Sequence, residues 1–258
     1  MRTLFLLSAI ILLLGGTSGQ AANYRDALDR QIEVPEPPQR IISLVPAVTE
    51  ILYALELQDR LVANTAYGNY PPAAKKLAHV GDYANPGLEN ILLWQPDLVF
   101  AAADIHRPAL VQQLESLNIA VYVVYPHTVA EALTTIRNIG AITGKAQAAE
   151  ILTADIELRI DSLQKKLRNR RRPTILEAVM LQPLTVAGPD TFVADIIRLA
   201  GGRNAVPKSP SRYPTWDPEA LLTFDPEVIV VSLHPGQPDP QAFFARWPQL
   251  QAVKNQRV

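Results

Sequence analysis

One twelve-residue pattern occurs twice in this chain, and it limits the folds that the chain can adopt. The first copy, Glu89–Phe100, reads ENILLWQPDLVF, and the second, Glu219–Val230, reads EALLTFDPEVIV. Each has a glutamate, an apolar run, an aromatic residue, a proline seven residues after the glutamate, an acid and four apolar residues. Proline ends a helix, and a continuous apolar run suits a buried parallel strand. The pattern therefore predicts a short helix and a buried strand in two separate parts of the chain.

Around the first copy, apolar runs alternate with segments of helical periodicity. The predicted strands are Arg40–Val45, Leu61–Ala63, Asp97–Ala102 and Ala120–Val124, and the predicted helices are Thr49–Leu57, Glu89–Trp94 and Ala109–Leu117. Strands that alternate with helices form βαβ units and a parallel sheet. We therefore expect an α/β fold.

A long helical segment follows this first α/β region. After a predicted helix at Ala130–Ile142, the chain runs from Ala146 to about Arg170 without glycine or proline. A helix of this length is roughly 37 Å long, the width of a small domain, so it is suited to joining two lobes.

After Pro173 a second α/β pattern begins. Its predicted elements are Thr174–Met180, Thr191–Ala200, Pro218–Phe224, Val228–Leu233 and a short helix near Phe243. The predicted organisation is a signal peptide (1–22), an N-terminal α/β lobe (23–143), an interlobe helix (144–171) and a C-terminal α/β lobe (172–258).

The first 22 residues have the pattern of a secretory signal peptide. Arg2 supplies a short positive region, and Leu4–Leu14 is an apolar core shorter than the roughly 20 residues of a membrane helix. Small residues then favour cleavage near Ala21 or Ala22, and an uncleaved anchor is the alternative. The chain has no cysteine, which excludes disulfides, thiol catalysis and a lipidated cysteine. We expect a soluble protein of a Gram-negative periplasm.

The charge pattern gives no general attraction to nucleic acids or membranes. The net charge is −1, and acids and bases are mixed along the chain. The dense basic run, Lys165–Arg172, is interpreted as the solvated C-terminal end of the long helix, where cations are favourable. A nucleic-acid site is the lesser alternative, and no nucleic-acid partner is predicted.

Candidate ligand-binding residues follow the predicted strands, because ligands of open parallel sheets bind at the carboxyl ends of the strands. Loop aromatics there can hold a large, flat, partly apolar ligand, although surface packing is the alternative explanation. These aromatics are Tyr67, Tyr70, Tyr83, Tyr213 and Trp216.

Motifs that indicate catalysis or a bound metal are weak in this chain. His106, His127 and His234 also follow strands, but no histidine pair lies at i, i+4 and no acid cluster accompanies them. The sequence has no phosphate-binding glycine loop and no GxSxG motif. We therefore predict no catalytic residues, no metal ligands and no resident cofactor. A secreted metal-dependent hydrolase is the alternative of a different class.

The two glutamates of the repeated pattern have two explanations. Each stands in the first turn of a predicted helix, where an acid is favourable, and Asp217 and Pro218 add to the helix start before Glu219. Capping alone accounts for both. A matched pair of exposed carboxylates, one in each lobe, would also suit two arginine clusters on a symmetric partner.

Several motifs resemble one known family over residues 25–258. They are RIISLVPAVTE at Arg40–Glu50, YGNYPPA at Tyr67–Ala73, VGDY at Val80–Tyr83, PGLE at Pro86–Glu89, PDLV at Pro96–Val99, AGPDTFV at Ala187–Val193 and LAGGRNA at Leu199–Ala205. They are similar to periplasmic substrate-binding proteins of ABC importers for cobalamin, haem and iron–siderophores, and most of all to the cobalamin-binding branch.

This resemblance implies a class III periplasmic-binding fold, in which one long helix joins two lobes and the ligand lies between them. It implies capture of cobalamin or a related corrinoid, with haem or a ferric siderophore as the alternative ligand and Tyr70, His106 or His234 as contacts for that alternative. The predicted ligand-binding set is Ala47, Tyr70, Tyr83, Ala102, His106, Thr185 (or its neighbour Leu184), Tyr213 and Trp216. Glu89 and Glu219 would dock on arginines of the permease dimer, and the free protein would be monomeric.

The chain departs from the family pattern in two ways. Positions 83, 102 and 213 can be tryptophan in the cobalamin branch, but here they are Tyr83, Ala102 and Tyr213, which present less aromatic area. The family's chain also continues past the equivalent of Val258 with a strand and a long helix. The resemblance therefore predicts a C-terminal lobe without its last elements and with an open sheet edge.

Overall fold

The structure of the protein is a computed structural model that describes residues 21–234 and 236–258. Residues 1–20 of the predicted signal peptide lie outside the described residues, and its last two residues, Ala21 and Ala22, begin the first strand. None of the helices in these described ranges has both the length and the apolar content that crossing a bilayer requires.

Strands and helices alternate through most of the described chain. The strands are β1 (Ala21–Arg25), β2 (Gln31–Pro35), β3 (Ile41–Ser43), β4 (Leu61–Asn64), β5 (Ala78–His79), β6 (Leu98–Ala102), β7 (Ala120–Val124), β8 (Thr174–Leu181), β9 (Leu184–Val186), β10 (Arg203–Asn204) and β11 (Val228–Val231). The helices are α1 (Pro46–Ala54), α2 (Leu88–Leu93), α3 (Pro108–Ser116), α4 (Val129–Ile142), α5 (Ala146–Leu167), α6 (Phe192–Leu199), α7 (Pro218–Phe224), α8 (Pro240–Phe244) and α9 (Gln251–Lys254), and a 3₁₀ helix covers Pro72–Lys76.

The N-terminal lobe is built on a five-stranded parallel sheet with the order β5-β4-β3-β6-β7. Apolar side chains cover both faces of this sheet. One face carries a core that includes Phe100 and Leu52, and the other carries a core that includes Val99 and Leu114. Burial on both faces explains why the strands read as continuous apolar runs.

The C-terminal lobe has its own sheet and its own core. Strands β10, β8 and β11 pair in parallel in that order, and β9 pairs antiparallel with β8. The core of this lobe includes Leu176, Trp216 and Phe244. The predicted α/β fold with mostly parallel sheets is confirmed.

Helix α5 contacts both lobes along its length. It has 22 residues, which corresponds to about 33 Å. Ala149 near its start belongs to the core of the N-terminal lobe, and Gln164 near its end donates a hydrogen bond to the carbonyl of Leu199 on α6. The basic side chains at its end, within Lys165–Arg172, are exposed.

The two copies of the repeated pattern fold in the same way. A residue with left-handed backbone follows each helix: Asp225 (φ 38°) comes directly after α7, and Gln95 (φ 44°) comes after α2 and its C-cap residue Trp94. Pro96 and Pro226 follow directly. A proline disfavours helical backbone in the residue before it, so each proline reinforces the end of its helix.

The acids after these prolines connect neighbouring strands. Asp97 accepts hydrogen bonds from the backbone amides of Gln39 (2.7 Å) and Arg40 (3.0 Å), just before β3. Glu227 accepts one from the amide of Thr174 (3.1 Å), the first residue of β8. Strand β6 pairs with β3, and β11 pairs with β8. Each acid therefore ties the start of its own strand to the start of the adjacent strand.

Replacing Asp97 with alanine is expected to destabilise the protein by about 2–3 kcal/mol, because two charge-assisted hydrogen bonds to backbone amides are lost. Urea unfolding followed by circular dichroism measures the change. Asp161→Ala is the matched control, since Asp161 is exposed on α5 and has no bonding partner within the described ranges. A loss below about 0.5 kcal/mol, the usual range for surface substitutions, would show that the Asp97 bonds do not hold β3 in place.

Candidate ligand-binding and docking sites

Aromatic side chains gather at the carboxyl ends of β4 and β6 in the N-terminal lobe. The rings of Tyr67 and Tyr83 have centroids 6.5 Å apart, and the rings of Tyr83 and His106 have centroids 5.8 Å apart in an edge-on arrangement. Tyr67 is 59% exposed, Tyr83 is half-buried, and His106 is buried beneath Tyr83. Tyr83 is therefore held between a buried imidazole and the solvent-facing Tyr67.

His106 is fixed by two backbone groups. Its Nδ1 accepts a hydrogen bond from the amide of Ala102 (2.8 Å), so the ring is neutral with its proton on Nε2, and Nε2 lies 3.0 Å from the carbonyl oxygen of Tyr83. Burial lowers the pKa of His106. His106, a predicted ligand contact, has both ring nitrogens occupied by backbone groups and is 5% exposed. It supports the loop that carries Tyr83.

Acidification is expected to weaken the folded state through His106. The pKa of His106 in the fold lies below the ordinary value of 6.5. The unfolded chain therefore binds a proton at His106 more readily than the folded chain does. Stability is then fully present above about pH 6.5 and falls as the pH is lowered below that value. Urea midpoints measured at about pH 7.5 and about pH 5.5 test this, with His106→Gln as the variant in which the pH dependence should shrink. An equal dependence in this variant would assign the effect to other groups.

The C-terminal lobe contributes Tyr213 from a loop that lies along β9. The amide of Val186 donates to the carbonyl of Pro214 (3.0 Å), and Thr185 and Thr215 form an isolated antiparallel bridge. Tyr213 is 47% exposed, and Thr185 is half-buried. This pairing places Thr185 and Tyr213, both predicted as ligand contacts, on adjacent segments of backbone.

Electrostatics link the tyrosines of the two lobes. Burial raises the pKa of Tyr83 and of Tyr213, and the Asp104 carboxylate raises both further. Glu177, on β8, also raises the pKa of Tyr213. One carboxylate, that of Asp104, therefore lies within electrostatic range of a phenol from each lobe. Arg212 lowers the pKa of Tyr213, so charges of both signs surround that phenol.

The other predicted ligand contacts fall into two groups. Ala47, at the start of α1, and Tyr70, which is 61% exposed, are accessible to a ligand. Ala102 is the last residue of β6 and is buried beside His106. Among the predicted contacts, Ala47, Tyr70, Tyr83, Thr185 and Tyr213 therefore present surface, and Ala102 lies beneath them.

Trp216 is part of the C-terminal core. It is 8% exposed, and its ring stacks on Phe224 with centroids 5.0 Å apart. It also lines an apolar cavity of about 330 Å³ together with Leu221 and Phe243. Trp216, a predicted ligand contact, therefore packs its indole within its own lobe.

Three charged residues near these loops were not predicted as site residues: Asp104, Glu177 and Arg212. Glu177 is 4% exposed, accepts a hydrogen bond from the hydroxyl of Ser232 (2.6 Å), and has its pKa raised by burial. An acid inside the apolar run TILEAVML is a sequence signal that could have identified it. Asp104 and Arg212 have no comparable signal, because charged residues are ordinary in loops.

Glu89 and Glu219 are the members of the repeated pattern that the fold leaves unused. Both are exposed in the first turns of α2 and α7. Neither side chain has a hydrogen bond or ion pair with another residue of the described ranges. At the start of α7 it is Asp217 that caps the helix, by accepting from the amide of Ala220 (2.8 Å). Helix capping therefore does not require Glu219.

Within residues 21–234 and 236–258, no group of three or more His, Cys, Asp or Glu side chains is arranged to hold a metal ion. His79 is hydrogen-bonded to Asn64 (2.8 Å), and His127 contacts Arg212. His234 is exposed after β11.

A family model described as a periplasmic binding protein matches residues 41–258. The chain belongs to this family. Periplasmic binding proteins are solute-binding proteins, and family members deliver their ligands to ABC transporter permeases. The match begins at β3 and includes both lobes, and it confirms the predicted family.

Curated relatives in this periplasmic binding protein family include vitamin B12-binding proteins. That of Vibrio campbellii is 28% identical over 86% of this chain and 80% of the relative. That of Photorhabdus laumondii is 30% identical over 83% of this chain and 78% of the relative.

Two solved structures that are similar to this chain are named after different ligands. The periplasmic vitamin B12-binding protein BtuF of Vibrio cholerae has a TM-score of 0.75 at 28% identity and covers 86% of this chain and 87% of its own. The periplasmic haem-binding protein HutB of Vibrio cholerae has a TM-score of 0.75 at 28% identity and covers 85% and 88%. These likenesses match the class III fold and do not distinguish between the two ligands.

Proposed function

We propose that this protein is the periplasmic carrier of an ABC importer, that residues 1–22 export it, and that it captures cobalamin or a related corrinoid between its lobes. The observation that carries the choice of site is that partly exposed tyrosines of both lobes, Tyr83 and Tyr213, lie within electrostatic range of the same carboxylate, Asp104. One phenol comes from each lobe, so a flat ligand between them would touch both.

The Asp104 carboxylate supports a corrinoid in preference to haem. A corrin ring carries peripheral amide groups, whose N–H donors suit carboxylate and phenol oxygens. Haem carries two propionate carboxylates, which would approach Asp104 with like charge. Glu177 adds a second acid near Tyr213. The named vitamin B12-binding relatives support the same choice.

Capture requires no chemical step. Tyr70, Tyr83 and Tyr213 supply aromatic area at low conformational cost, while Ala47 leaves room for the ring edge. The loaded carrier, a monomer when free, then docks on the two halves of the permease through Glu89 and Glu219. Exposed carboxylates form bidentate pairs with arginine, and one acid per lobe fixes the orientation as well as the contact.

Calorimetric titration of the protein purified from the periplasm tests the ligand. Cobalamin, cobinamide, haem and a ferric siderophore are compared at the same pH and salt concentration. We expect saturable binding of cobalamin and cobinamide with one site per chain. Tight binding of haem or the siderophore without corrinoid binding would overturn the ligand assignment and keep the family.

Haem is the second candidate, because exposed side chains that can ligate iron follow the strands. His234 is exposed after β11, and Tyr70 is exposed in the N-terminal lobe. Under this alternative, haem titration produces a red-shifted absorbance that is lost in His234→Ala. His79→Ala serves as the control, because the His79 ring is engaged by Asn64.

A further inference from the structure

A contact between the lobes is centred on Arg212. Its guanidinium Nη1 donates to the hydroxyl of Tyr125 (2.8 Å), which follows β7 in the N-terminal lobe. The same nitrogen lies 3.0 Å from Nδ1 and 3.2 Å from Nε2 of His127. The guanidinium carbon also stands 5.5 Å from the centre of the Tyr125 ring.

The geometry of this contact shows how the arginine is held. Nearly equal distances to both imidazole nitrogens place Nη1 against the ring, and not along one lone pair. Tyr125 and His127 have centroids 4.0 Å apart with their planes at 76°. They form a corner of two rings in which a planar cation gains both a hydrogen bond and aromatic contact.

The backbone of Arg212 is fixed to its own lobe. Its carbonyl accepts from the amide of Gly188 (2.7 Å), and a Cβ at position 188 would lie only 2.8 Å from that carbonyl oxygen. Tyr213 follows directly, and its amide bonds to the hydroxyl of Ser211 (3.2 Å). Contacts of the Arg212 side chain therefore restrain the short loop that presents Tyr213.

We infer that Arg212 is a positioning residue for ligand capture, which fastens the loop carrying Tyr213 to the Tyr125–His127 pair of the opposite lobe. The expected effect of Arg212 on ligand affinity rests on the proposed function. The expected effect of Arg212 on the loop follows from the contacts themselves. Without the contact, the loop samples more conformations, and binding must restrict them again.

Protonation of His127 opposes this contact. An imidazolium would place a second positive charge about 3 Å from the guanidinium, and the two cations repel each other. The contact should therefore weaken when His127 is protonated.

Other charged groups face the Arg212–His127 pair from the neighbouring elements. Glu131 on α4 accepts from the amide of His127 (2.6 Å). Asp195 on α6 accepts from the amide of Val129 (2.9 Å) and pairs with Arg198. Asp190 lines the adjoining cavity of about 310 Å³, and Arg25 and Asp26 line a second cavity of about 330 Å³ beside Tyr125. The acids moderate the repulsion, but Arg212 remains the cation in contact with the ring.

Amide hydrogen exchange of the full protein tests the inference without any ligand. Arg212→Ala is expected to lower the protection of the amides from Tyr213 to Trp216 about tenfold, as for the loss of one charge-assisted hydrogen bond. Tyr125→Phe, on the other lobe, should reproduce part of the loss, and Arg212→Lys should restore part of the protection. Lys208→Ala, which removes a cation from the same loop, should leave the protection unchanged.

A pH series separates positioning from a purely structural role. Protection factors of the same amides should fall on acidification in the wild type, and His127→Gln should reduce this dependence to the part that His106 contributes. Unchanged protection in Arg212→Ala would overturn the inference, whichever ligand the protein binds. If the wild type binds no corrinoid but Arg212→Ala still lowers the protection, the proposed ligand is overturned and the inference is supported.

Discussion

Replacing both Glu89 and Glu219 with alanine is expected to reduce ligand uptake to background while leaving ligand affinity unchanged. The two carboxylates are exposed in equivalent first turns, one in each lobe, and neither bonds to another described residue. Their removal should therefore cost little stability. Docking would lose both of its charge-assisted contacts, and each single variant should retain intermediate uptake. Uptake of labelled cobalamin in cells with the importer, together with calorimetry on the purified variant, measures both effects.

The matched control removes the same charge from other exposed places. Glu33 on β2 and Asp161 on α5 are exposed acids without bonding partners in the described ranges. Glu33→Ala with Asp161→Ala should transport normally. Loss of ligand binding in the Glu89 and Glu219 double variant, with normal permease association, would reverse the assignment and place these acids in ligand capture.

Truncating both Tyr83 and Tyr213 to alanine is expected to weaken ligand binding by about two to three orders of magnitude. An aromatic anchor in an interface costs about 2 kcal/mol or more when truncated, and the double variant removes one such anchor from each lobe. Calorimetric titration of the single and double variants with cobalamin gives the magnitudes. His106 remains in place beneath position 83, which limits collapse of the loop.

Phenylalanine variants distinguish the contribution of ring contact to affinity from that of the phenol hydroxyl. Tyr83→Phe and Tyr213→Phe keep the aromatic area and remove the hydroxyls, so we expect only a few-fold loss of affinity from one missing hydrogen bond. A double alanine variant that binds the ligand as tightly as the wild type would exclude the region around Asp104 as the ligand site.

Most of the fold could be predicted from periodicity and proline positions. Strand β7 and helix α7 have the predicted bounds, and most other elements are shifted by one to three residues. The hairpin of β1 and β2 was not predicted, because Ile32 and Val34 give too short an alternation to distinguish a strand from a proline-rich connection. The short strands β5, β9 and β10 were also not predicted, since such strands depend on a partner more than on their own sequence.

The site was predicted less completely, because the direction in which a side chain points and the residues that it contacts depend on tertiary structure. Residue type and position after a strand selected Tyr83 and Tyr213, which are partly exposed, but the same reasoning selected His106 and Trp216, which the fold turns into its interior. Nothing in the local sequence shows that Arg212 reaches the opposite lobe. The repeated pattern is now explained in parts: Asp97 and Glu227 hold neighbouring strands, and Glu89 and Glu219 remain available to a partner.

Hydrogen exchange measured with and without saturating cobalamin tests interlobe capture most directly. We expect the ligand to protect amides in both lobes, around Tyr67–Tyr83 and around Tyr213–Trp216, with little change at α2 and α7, where the docking acids lie. Protection confined to one lobe, or centred on the apolar cavity beside Trp216, would contradict capture between the lobes.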